Sequence, residues 1–196
     1  VRGVQSQGVG TSLKHFAANN QETDRLRVSS DVDERTLREI YLPAFRRVVQ
    51  EAQPWTVMCS YNRINGVYAS QDPWLLTTVL RDEWGFKGLV VSDWGAVDDR
   101  VAALAAGLDL EMPATGGRSD AEIVAAVHSG DLDESVVDRA AARVARMAMR
   151  AVSTSGNPGP LDVDAHHALA REVAGRSIVL LRNEGALLPL APSLRV

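Results

Sequence analysis

Four short apolar runs, each followed by a stretch of helical periodicity, constrain the fold of this chain more than any other feature of its sequence. The runs occupy residues 8–16, 56–61, 89–93 and 108–112. Buried strands that alternate with helices form parallel sheets covered by those helices, so the chain is predicted to have an α/β fold. About four β/α units match half of a (β/α)8 TIM-type barrel, although a doubly wound open sheet shows the same alternation.

Helical spacing is clearest in residues 33–52, where apolar residues recur at intervals of three and four. Asp33 is the predicted N-cap of this helix. Pro43 predicts a break near Leu42, because proline cannot donate the helical hydrogen bond. Further helices are predicted over residues 72–84, 99–106, 119–129, 133–151 and 164–175.

A Gly-, Pro- and Ser-rich segment, STSGNPGPLD, interrupts the helical pattern and predicts a domain boundary. We assign residues 1–152 to the partial barrel, residues 153–163 to a linker and residues 164–196 to a truncated second domain. In that second domain, residues 177–190 are predicted to begin with a strand. The chain starts with Val1 and has no signal-peptide pattern, as expected of a piece of a longer protein, so its compartment is left open.

Composition and motifs argue against several function classes. The net charge of −4 and the scattered Lys and Arg residues are not typical of a nucleic-acid-binding protein. No run approaches the roughly 20 apolar residues of a membrane helix, so no membrane partner is expected. The single cysteine, Cys59, is predicted to be a small buried residue. The absence of phosphate-loop, dinucleotide and metal-ligand motifs predicts no cofactor and no metal.

Polar residues follow all four predicted strands. In a barrel the carboxyl ends of the strands form one rim, where reactive groups gather. The residues predicted to meet there are Lys14-His15, Ser60-Tyr61, Ser92-Asp93-Trp94 and Asp109 with Glu111.

Several of these residues have two interpretations. Asp93 is either a nucleophile or base, or the N-cap of the segment that follows it. Trp94 provides an apolar face suited to a sugar ring, but tryptophan is more often a core residue. Lys14 and His15 both reach a ligand only if the strand turns there, because neighbouring strand residues point to opposite faces. Otherwise they are a solvated lysine and a structural histidine.

Five motifs in order resemble those of glycoside hydrolase family 3, in its β-glucosidase-like branch. They are KHFAANNQETDR, VMCSYNRING, GFKGLVVSDWGA, AGLDLEMP and SIVLLRNEGALLPL. A related N-acetylglucosaminidase branch has KHFPGHGD at the first motif, which this chain lacks. The resemblance implies that the chain is the C-terminal half of the barrel domain, a linker, and the first strand of an α/β sandwich domain.

The resemblance also implies roles for individual residues. Asp93 is similar to the catalytic nucleophile of the family, which a surrounding of cations and a tyrosine hydroxyl would keep ionised. Asp109 and Glu111 match no catalytic position and are expected to be structural. The residues that resemble ligands of the sugar are Lys14, His15, Arg25, Tyr61 and Trp94.

The implied activity is exo-acting, retaining hydrolysis of terminal β-D-glucosyl or related residues, with carbohydrate as the partner and no cofactor. The acid/base is expected to lie outside residues 1–196, so the chain alone is expected to be inactive. Three alternatives stay open: a non-catalytic sugar-binding homologue, a glycoside phosphorylase, and an inactive truncated fragment. The sugar, the linkage and the oligomeric state are not given by the sequence.

Overall fold

A computed structural model describes residues 1–154, 156, 159–191 and 193 of the chain. The chain divides into two compact units, Val1–Ser155 and Gly156–Val196. Residues 155, 157 and 158 of the predicted linker, and residues 192 and 194–196 of the predicted second domain, lie outside the described residues. The domain limits 1–152, 153–163 and 164–196 therefore stay predictions.

The main sheet of the first unit is parallel, as the alternation of strands and helices predicts. Its strand order is β1-β3-β6, with β3 in the centre. Residues Thr56 and Leu89 are in register across β3 and β6, and Cys59 is in register with Ser92. The strands of the two sheets in the described chain are β1 Ser12–Phe16, β2 Ser29–Ser30, β3 Thr56–Cys59, β4 Arg63–Ile64, β5 Val67–Tyr68 and β6 Leu89–Ser92.

The predicted fourth strand, residues 108–112, is present only in part. One parallel bridge joins Leu110 to Val91. Ser92 N donates to Leu110 O at 2.9 Å and Gly95 N donates to Met112 O at 2.9 Å, so the segment follows β6 without extending into a regular strand.

A second, small sheet was not predicted. The segment 63–68 is a hairpin in which Arg63 pairs with Tyr68 and Ile64 with Val67. Its two-residue turn, Asn65-Gly66, has φ of 50° and 86°. Both positive values suit the Asn-Gly turns that match the twist of a hairpin. The strand β2 pairs with β4 in parallel and completes this sheet.

Helices cover the sheet and follow the predicted order. A helix near the break at Leu42 and a long helix before Trp84 are of the wider π type, with Leu42 N donating to Leu37 O and Trp84 N to Val79 O. The α-helices are α1 Arg2–Gln5, α2 Glu34–Thr36, α3 Pro43–Ala52, α4 Arg100–Ala106, α5 Arg118–Ser129, α6 Glu134–Thr154 and α7 Val163–Ser177. The π-type helices are Leu37–Tyr41 and Trp74–Glu83, and single 3-10 turns lie at Ala69–Gln71 and Glu184–Ala186.

The predicted start and break of the first long helical region are confirmed. Asp33 caps α2 by accepting a hydrogen bond from Thr36 N at 2.9 Å. The helical region changes type at Leu42, and α3 starts at Pro43. Proline fits there because the first residues of a helix need no intrahelical donor.

The core of the first unit lies between the main sheet and the helices. Val57 and Val90, on neighbouring strands, are fully buried, as are Leu75, Leu76 and Leu80 of the π-type helix. Burial of an aliphatic side chain of this size contributes about 1.5–3 kcal/mol. This packing holds the strand ends in place and so fixes the edge at which the polar residues gather.

The strand predicted at the start of residues 177–190 is not present among the described residues. After α7 ends at Ser177, residues 178–183 have no regular secondary structure. A strand is stable only when its backbone groups pair with a neighbour, and these residues pair with no other strand among the described residues. The side chain of Leu181 is 92% exposed.

Candidate functional site

The carboxyl ends of β1, β3 and β6 lie side by side in the main sheet. The edge that these strand ends form holds the candidate site. Ser60 N donates to Phe16 O at 2.8 Å, and Asp93 N donates to Cys59 O at 3.2 Å. Hydrogen bonds between the strands therefore continue one residue beyond β3 and β6. They bring the residues that follow each strand side by side.

Asp93 follows β6 at this edge and is 8% exposed. Its Oδ2 lies 3.2 Å from His15 Nε2, and its Oδ1 accepts a hydrogen bond from Trp94 N at 2.8 Å. The interpretation of Asp93 as a helix N-cap is wrong, because no helix starts there. The next helix, α4, is capped by Asp99, whose carboxylate accepts from Ala102 N.

His15 reaches Asp93 because β1 is irregular at its carboxyl end. Between Leu13 and Phe16, β1 contains one more residue than the matching part of β3. An extra residue of this kind changes the direction in which the following side chains point. Such a turn is the condition predicted from the sequence for His15 to reach the rim.

Burial lowers the pKa of His15 below its ordinary value of 6.5. The neighbouring Lys14 charge lowers it further, and the Asp93 carboxylate opposes the shift without reversing it. His15 is therefore neutral at pH 7. The neutral ring lies beside the Asp93 carboxylate, with its Nε2 3.2 Å from Oδ2.

We expect the His15 ring to titrate below pH 6.5 in an NMR titration, and at a still lower pH in an Asp93→Asn variant, because the carboxylate that favours the charged ring is lost. The unfolded chain binds this proton at a higher pH than the folded chain does. The contribution of His15 to the free energy of unfolding is therefore complete above pH 6.5. It declines as the pH falls from 6.5 toward the lower pKa of the folded chain. Resonances are assigned with His15→Gln, and an unchanged midpoint in Asp93→Asn contradicts the contact.

Tyr61 and Arg25 form the side of the site next to Asp93. The Tyr61 hydroxyl donates to Trp94 O at 3.1 Å. Burial raises the pKa of this hydroxyl, and the nearby Asp93 carboxylate adds to the effect. Tyr61 is therefore a neutral donor. The Arg25 guanidinium lies 4.7 Å from the centre of the Tyr61 ring, within the range of a cation–π contact.

Lys14 and Trp94 are the two exposed members of the predicted set. Trp94 is 52% exposed beside a buried carboxylate, so it is not a core residue. Lys14 is exposed on β1, and it affects the site through the charge that acts on His15. The structure thus brings His15, Tyr61 and Trp94 into contact with or next to Asp93, with Lys14 and Arg25 around them.

Asn62 and Ser60 support the site; Ser60 was predicted at the rim, whereas Asn62 was not singled out from the sequence. The buried Asn62 amide nitrogen lies 3.3 Å from Ala17 O and 3.4 Å from Ser30 Oγ. Ser60 Oγ donates to Ala17 O at 3.0 Å. These bonds fix the backbone that follows His15. The signal in the sequence was a run of three polar side chains, SYN, directly after a buried strand.

Asp109 and Glu111 do not contribute to this arrangement. The Asp109 carboxylate is bound by Arg81 at 2.7 Å, by Arg143 at 2.8 Å and by Val90 N at 2.8 Å. Glu111 pairs with Arg100 at 3.7 Å. Both carboxylates are engaged in ion pairs, as expected for structural groups.

Cys59 is confirmed as a buried cysteine, and burial raises the pKa of its thiol to about 12. Across residues 1–154, 156, 159–191 and 193, no group of three or more His, Cys, Asp or Glu residues is arranged to hold a metal ion. None of the described helices combines the length and apolarity needed to cross a bilayer.

Comparison with known families gives one match that covers most of the chain. Residues 1–147 match the model of the glycosyl hydrolase family 3 N terminal domain. The chain is 54% identical over 193 residues to thermostable beta-glucosidase B of Acetivibrio thermocellus, covering 98% of the chain and 26% of that protein. It is 56% identical over 191 residues to an exo-alpha-(1->6)-L-arabinopyranosidase of Bifidobacterium longum, covering 97% of the chain and 25% of that protein.

Solved structures show the same likeness. The Bifidobacterium adolescentis GH3 beta-glucosidase superposes with a TM-score of 0.89 at 56% identity, over 96% of this chain and 28% of that one. Beta-glucosidase 3B from Thermotoga neapolitana in complex with glucose gives a TM-score of 0.89 at 46% identity, over 97% of this chain and 28% of that one. The chain spans about a quarter of the length of the curated relatives named above.

Proposed function

Because this chain belongs to glycosyl hydrolase family 3, we propose that it is part of the catalytic domain of an exo-acting, retaining glycosidase, with Asp93 as the nucleophile. The observation that supports this most is the position of Asp93. It is a buried carboxylate at the end of a parallel strand, held by Trp94 N and His15, with a half-exposed tryptophan beside it. We call the longer protein that contains these residues the parent enzyme.

The fold supports the proposal because the domain of this family has a TIM-barrel-like α/β architecture. We propose that β1, β3, β6 and the segment around Leu110 are consecutive strands in the C-terminal half of a (β/α)8 barrel within residues 1–152. Residues 153–163 are then a linker, and residues 164–196 the start of a second α/β domain. In this arrangement Asp93 lies at the carboxyl-terminal rim, where barrel enzymes hold their reactive groups.

The substrate in this proposal is a terminal, non-reducing β-D-glucosyl or closely related residue. The relatives include proteins named as beta-glucosidases and as arabinopyranosidases, which share the hydrolysis of glycosides and differ in the sugar. A structural relative holds glucose. The half-exposed indole of Trp94 is suited to pack on the C–H face of such a ring.

The chemistry proceeds by double displacement. Asp93 attacks the anomeric carbon and forms a covalent glycosyl-enzyme, while an acid protonates the oxygen that leaves. Water then attacks the same carbon, and the former acid accepts its proton. The two carboxyl groups of a retaining enzyme lie about 5–5.5 Å apart. We propose that the acid/base is supplied from outside residues 1–196.

The other site residues bind the sugar and hold the nucleophile in position. The Trp94 N–H donates to Oδ1 of Asp93 and the neutral His15 ring lies 3.2 Å from Oδ2, so these two groups hold the carboxylate in one orientation. Lys14 and Arg25 are cations at the same edge and are placed to bind sugar hydroxyls. Tyr61 is a neutral donor next to Asp93. Hydrogen bonds to hydroxyls stabilise the oxocarbenium-like transition state more than the ground state.

Trapping with a fluorinated substrate tests the proposal directly. Incubation of the parent enzyme with a 2-deoxy-2-fluoro-β-glucoside that has a good leaving group is expected to add one fluoroglucosyl group. The fluorine slows both steps, and the good leaving group speeds only the first, so the glycosyl-enzyme accumulates. Peptide mass spectrometry is expected to find the sugar on Asp93. Labelling of a different carboxylate contradicts the assignment, and binding of glucose without labelling or turnover indicates a sugar-binding protein.

A comparison of the parent enzyme with the 196-residue chain tests where the acid lies. The parent enzyme is expected to hydrolyse an aryl β-glucoside in buffer without phosphate, whereas the purified chain is expected to show no turnover. Turnover by the chain alone contradicts an acid/base outside residues 1–196. A requirement of the parent enzyme for phosphate indicates a phosphorylase instead.

A further inference from the structure

A large cleft lies at the opposite end of the main sheet from Asp93. It has a volume of about 1090 Å³ and is lined in part by Trp55 and Leu89, which lie at the amino-terminal ends of β3 and β6. Small-molecule sites occupy about 300–1,000 Å³, so the space is sufficient for a small ligand. The cleft is formed by this chain and is separate from the site around Asp93.

The charge of the cleft is opposite to that of the protein. The chain as a whole has a net charge of −4, yet cations outnumber carboxylates among the residues that line the cleft. The carboxylates are Asp82 and Asp109. The cations are Arg81, Lys87, Arg139, Arg143, Arg146 and Arg150. Four of these arginines lie on α6 at intervals of three and four, so one face of that helix presents them together.

Existing ion pairs do not account for this positive charge. The buried Asp109 carboxylate is shared by Arg81 and Arg143, so two guanidinium groups are paired with a single anion. Burial lowers the pKa of Arg81, the Asp109 charge opposes that shift, and the nearby Arg143 charge adds to it. An anion in the cleft would relieve this excess of positive charge.

Two buried donors lining the cleft also have no hydrogen-bond partner among the described residues. Arg81 Nε and Trp55 Nε1 are buried and form no hydrogen bond with any described residue. Trp55 is 7% exposed and the Arg81 side chain is 10% exposed. An unpaired buried donor costs about 1–3 kcal/mol, so such groups in a native structure usually serve a ligand or bind water.

We propose that this cleft binds a phosphate-type oxyanion, either inorganic phosphate or the phosphate group of a small phosphorylated molecule. A phosphate group carries close to two negative charges and several strong acceptor oxygens, which suits guanidinium groups that present paired donors. The Arg139 and Arg146 side chains of α6 and the Lys87 ammonium lie on the wall of the cleft and can contact the anion from several sides. The site does not depend on the proposed function, because Asp93 takes no part in it.

Isothermal titration of the parent enzyme with inorganic phosphate, at constant ionic strength, tests the proposal. We expect saturable binding that the double variant Lys87→Ala/Arg146→Ala weakens by about tenfold or more, since each lost contact is charge-assisted. No described residue is ion-paired with either side chain, so the variant breaks no existing bridge. A titration with glucose 6-phosphate separates the two sources: tighter binding indicates a phosphorylated sugar, and equal binding indicates free phosphate.

The matched control is Arg35→Ala/Arg47→Ala, which removes two positive charges from side chains that are 82% and 78% exposed outside the cleft. Its affinity for phosphate is expected to stay within twofold of the unchanged protein. Asp93→Asn is expected to bind phosphate normally even if it is inactive. Absence of saturable binding, or equal weakening in the two double variants, overturns the proposal. So does a parent structure in which an acidic side chain from outside residues 1–196 pairs with Arg81 Nε.

Discussion

Replacing Asp93 by Asn in the parent enzyme is expected to lower kcat/KM for an aryl β-glucoside by about 10⁴-fold or more, the scale seen when an essential nucleophile is removed. The amide is a far weaker nucleophile than the carboxylate and cannot form the glycosyl-enzyme. The fold should be retained, because an Asn side-chain oxygen can still accept the hydrogen bond from Trp94 N. The measurement is steady-state kinetics together with thermal melting.

Asp33→Asn is a matched control for this variant. Asp33 is also an aspartate whose carboxylate accepts a backbone hydrogen bond, from Thr36 N at the start of α2. Asn is about as good an N-cap as Asp, so the helix start is preserved. We expect unchanged kcat/KM in Asp33→Asn. If Asp93→Asn kept most of its activity, or if both variants lost activity equally, Asp93 could not be the nucleophile.

The sheet and the meeting of the polar residues could be predicted because both depend on local patterns. Apolar runs such as residues 89–93 reveal buried strands, and parallel strands bring their carboxyl ends to one edge. Tyr61 and Asp93 are far apart in the sequence, but each is the last residue of a predicted strand, residues 56–61 and 89–93. Their proximity thus follows from topology, and the structure confirms it.

Other features depend on contacts that the sequence does not display. The Trp74–Glu83 helix is of the π type, and the choice between hydrogen bonds to the fourth or fifth residue is made by packing. The extra residue of β1 that turns His15 toward Asp93 appears only when β1 and β3 are paired. The Asn65-Gly66 hairpin is different, because an Asn-Gly pair is a strong local signal and could have been predicted.

The alternative interpretation of Asp93, as a helix cap, is wrong for a reason that the structure makes clear. A carboxylate after a strand can cap the next helix, but five residues separate Asp93 from Asp99, which caps α4. The intervening loop leaves Asp93 beside His15. A carboxylate at a strand end that is not used as a cap, and that is nevertheless 8% exposed, indicates a functional group more strongly than the sequence alone did.

Replacing Asp109 by Asn is expected to destabilise the catalytic domain by about 3–5 kcal/mol, the usual cost of breaking a buried ion pair from one side. The Asp109 side chain is 1% exposed and balances both Arg81 and Arg143. The amide keeps the size of the side chain, but it leaves two guanidinium groups without an anion. Differential scanning calorimetry of the parent enzyme is expected to show a lower melting temperature. Glu111→Gln, which affects one ion pair at 3.7 Å, is expected to lower it less.

The kinetics of the same variant separate a structural carboxylate from a catalytic one. Asp109 binds Val90 N within the sheet and arginines that line the cleft at the opposite end from Asp93, so it does not reach the anomeric carbon of a sugar at the rim. Below its melting temperature, Asp109→Asn is therefore expected to retain kcat within a few-fold of the unchanged enzyme. A large loss of kcat with an unchanged melting temperature would identify Asp109 as a catalytic group and would contradict the separation of the rim from the ion pairs beneath it.

The opposite pattern in Asp93→Asn, with activity lost and stability kept, would show that the two buried carboxylates have different roles because their surroundings differ. One is held by donors beside an exposed tryptophan, and the other is neutralised by two cations.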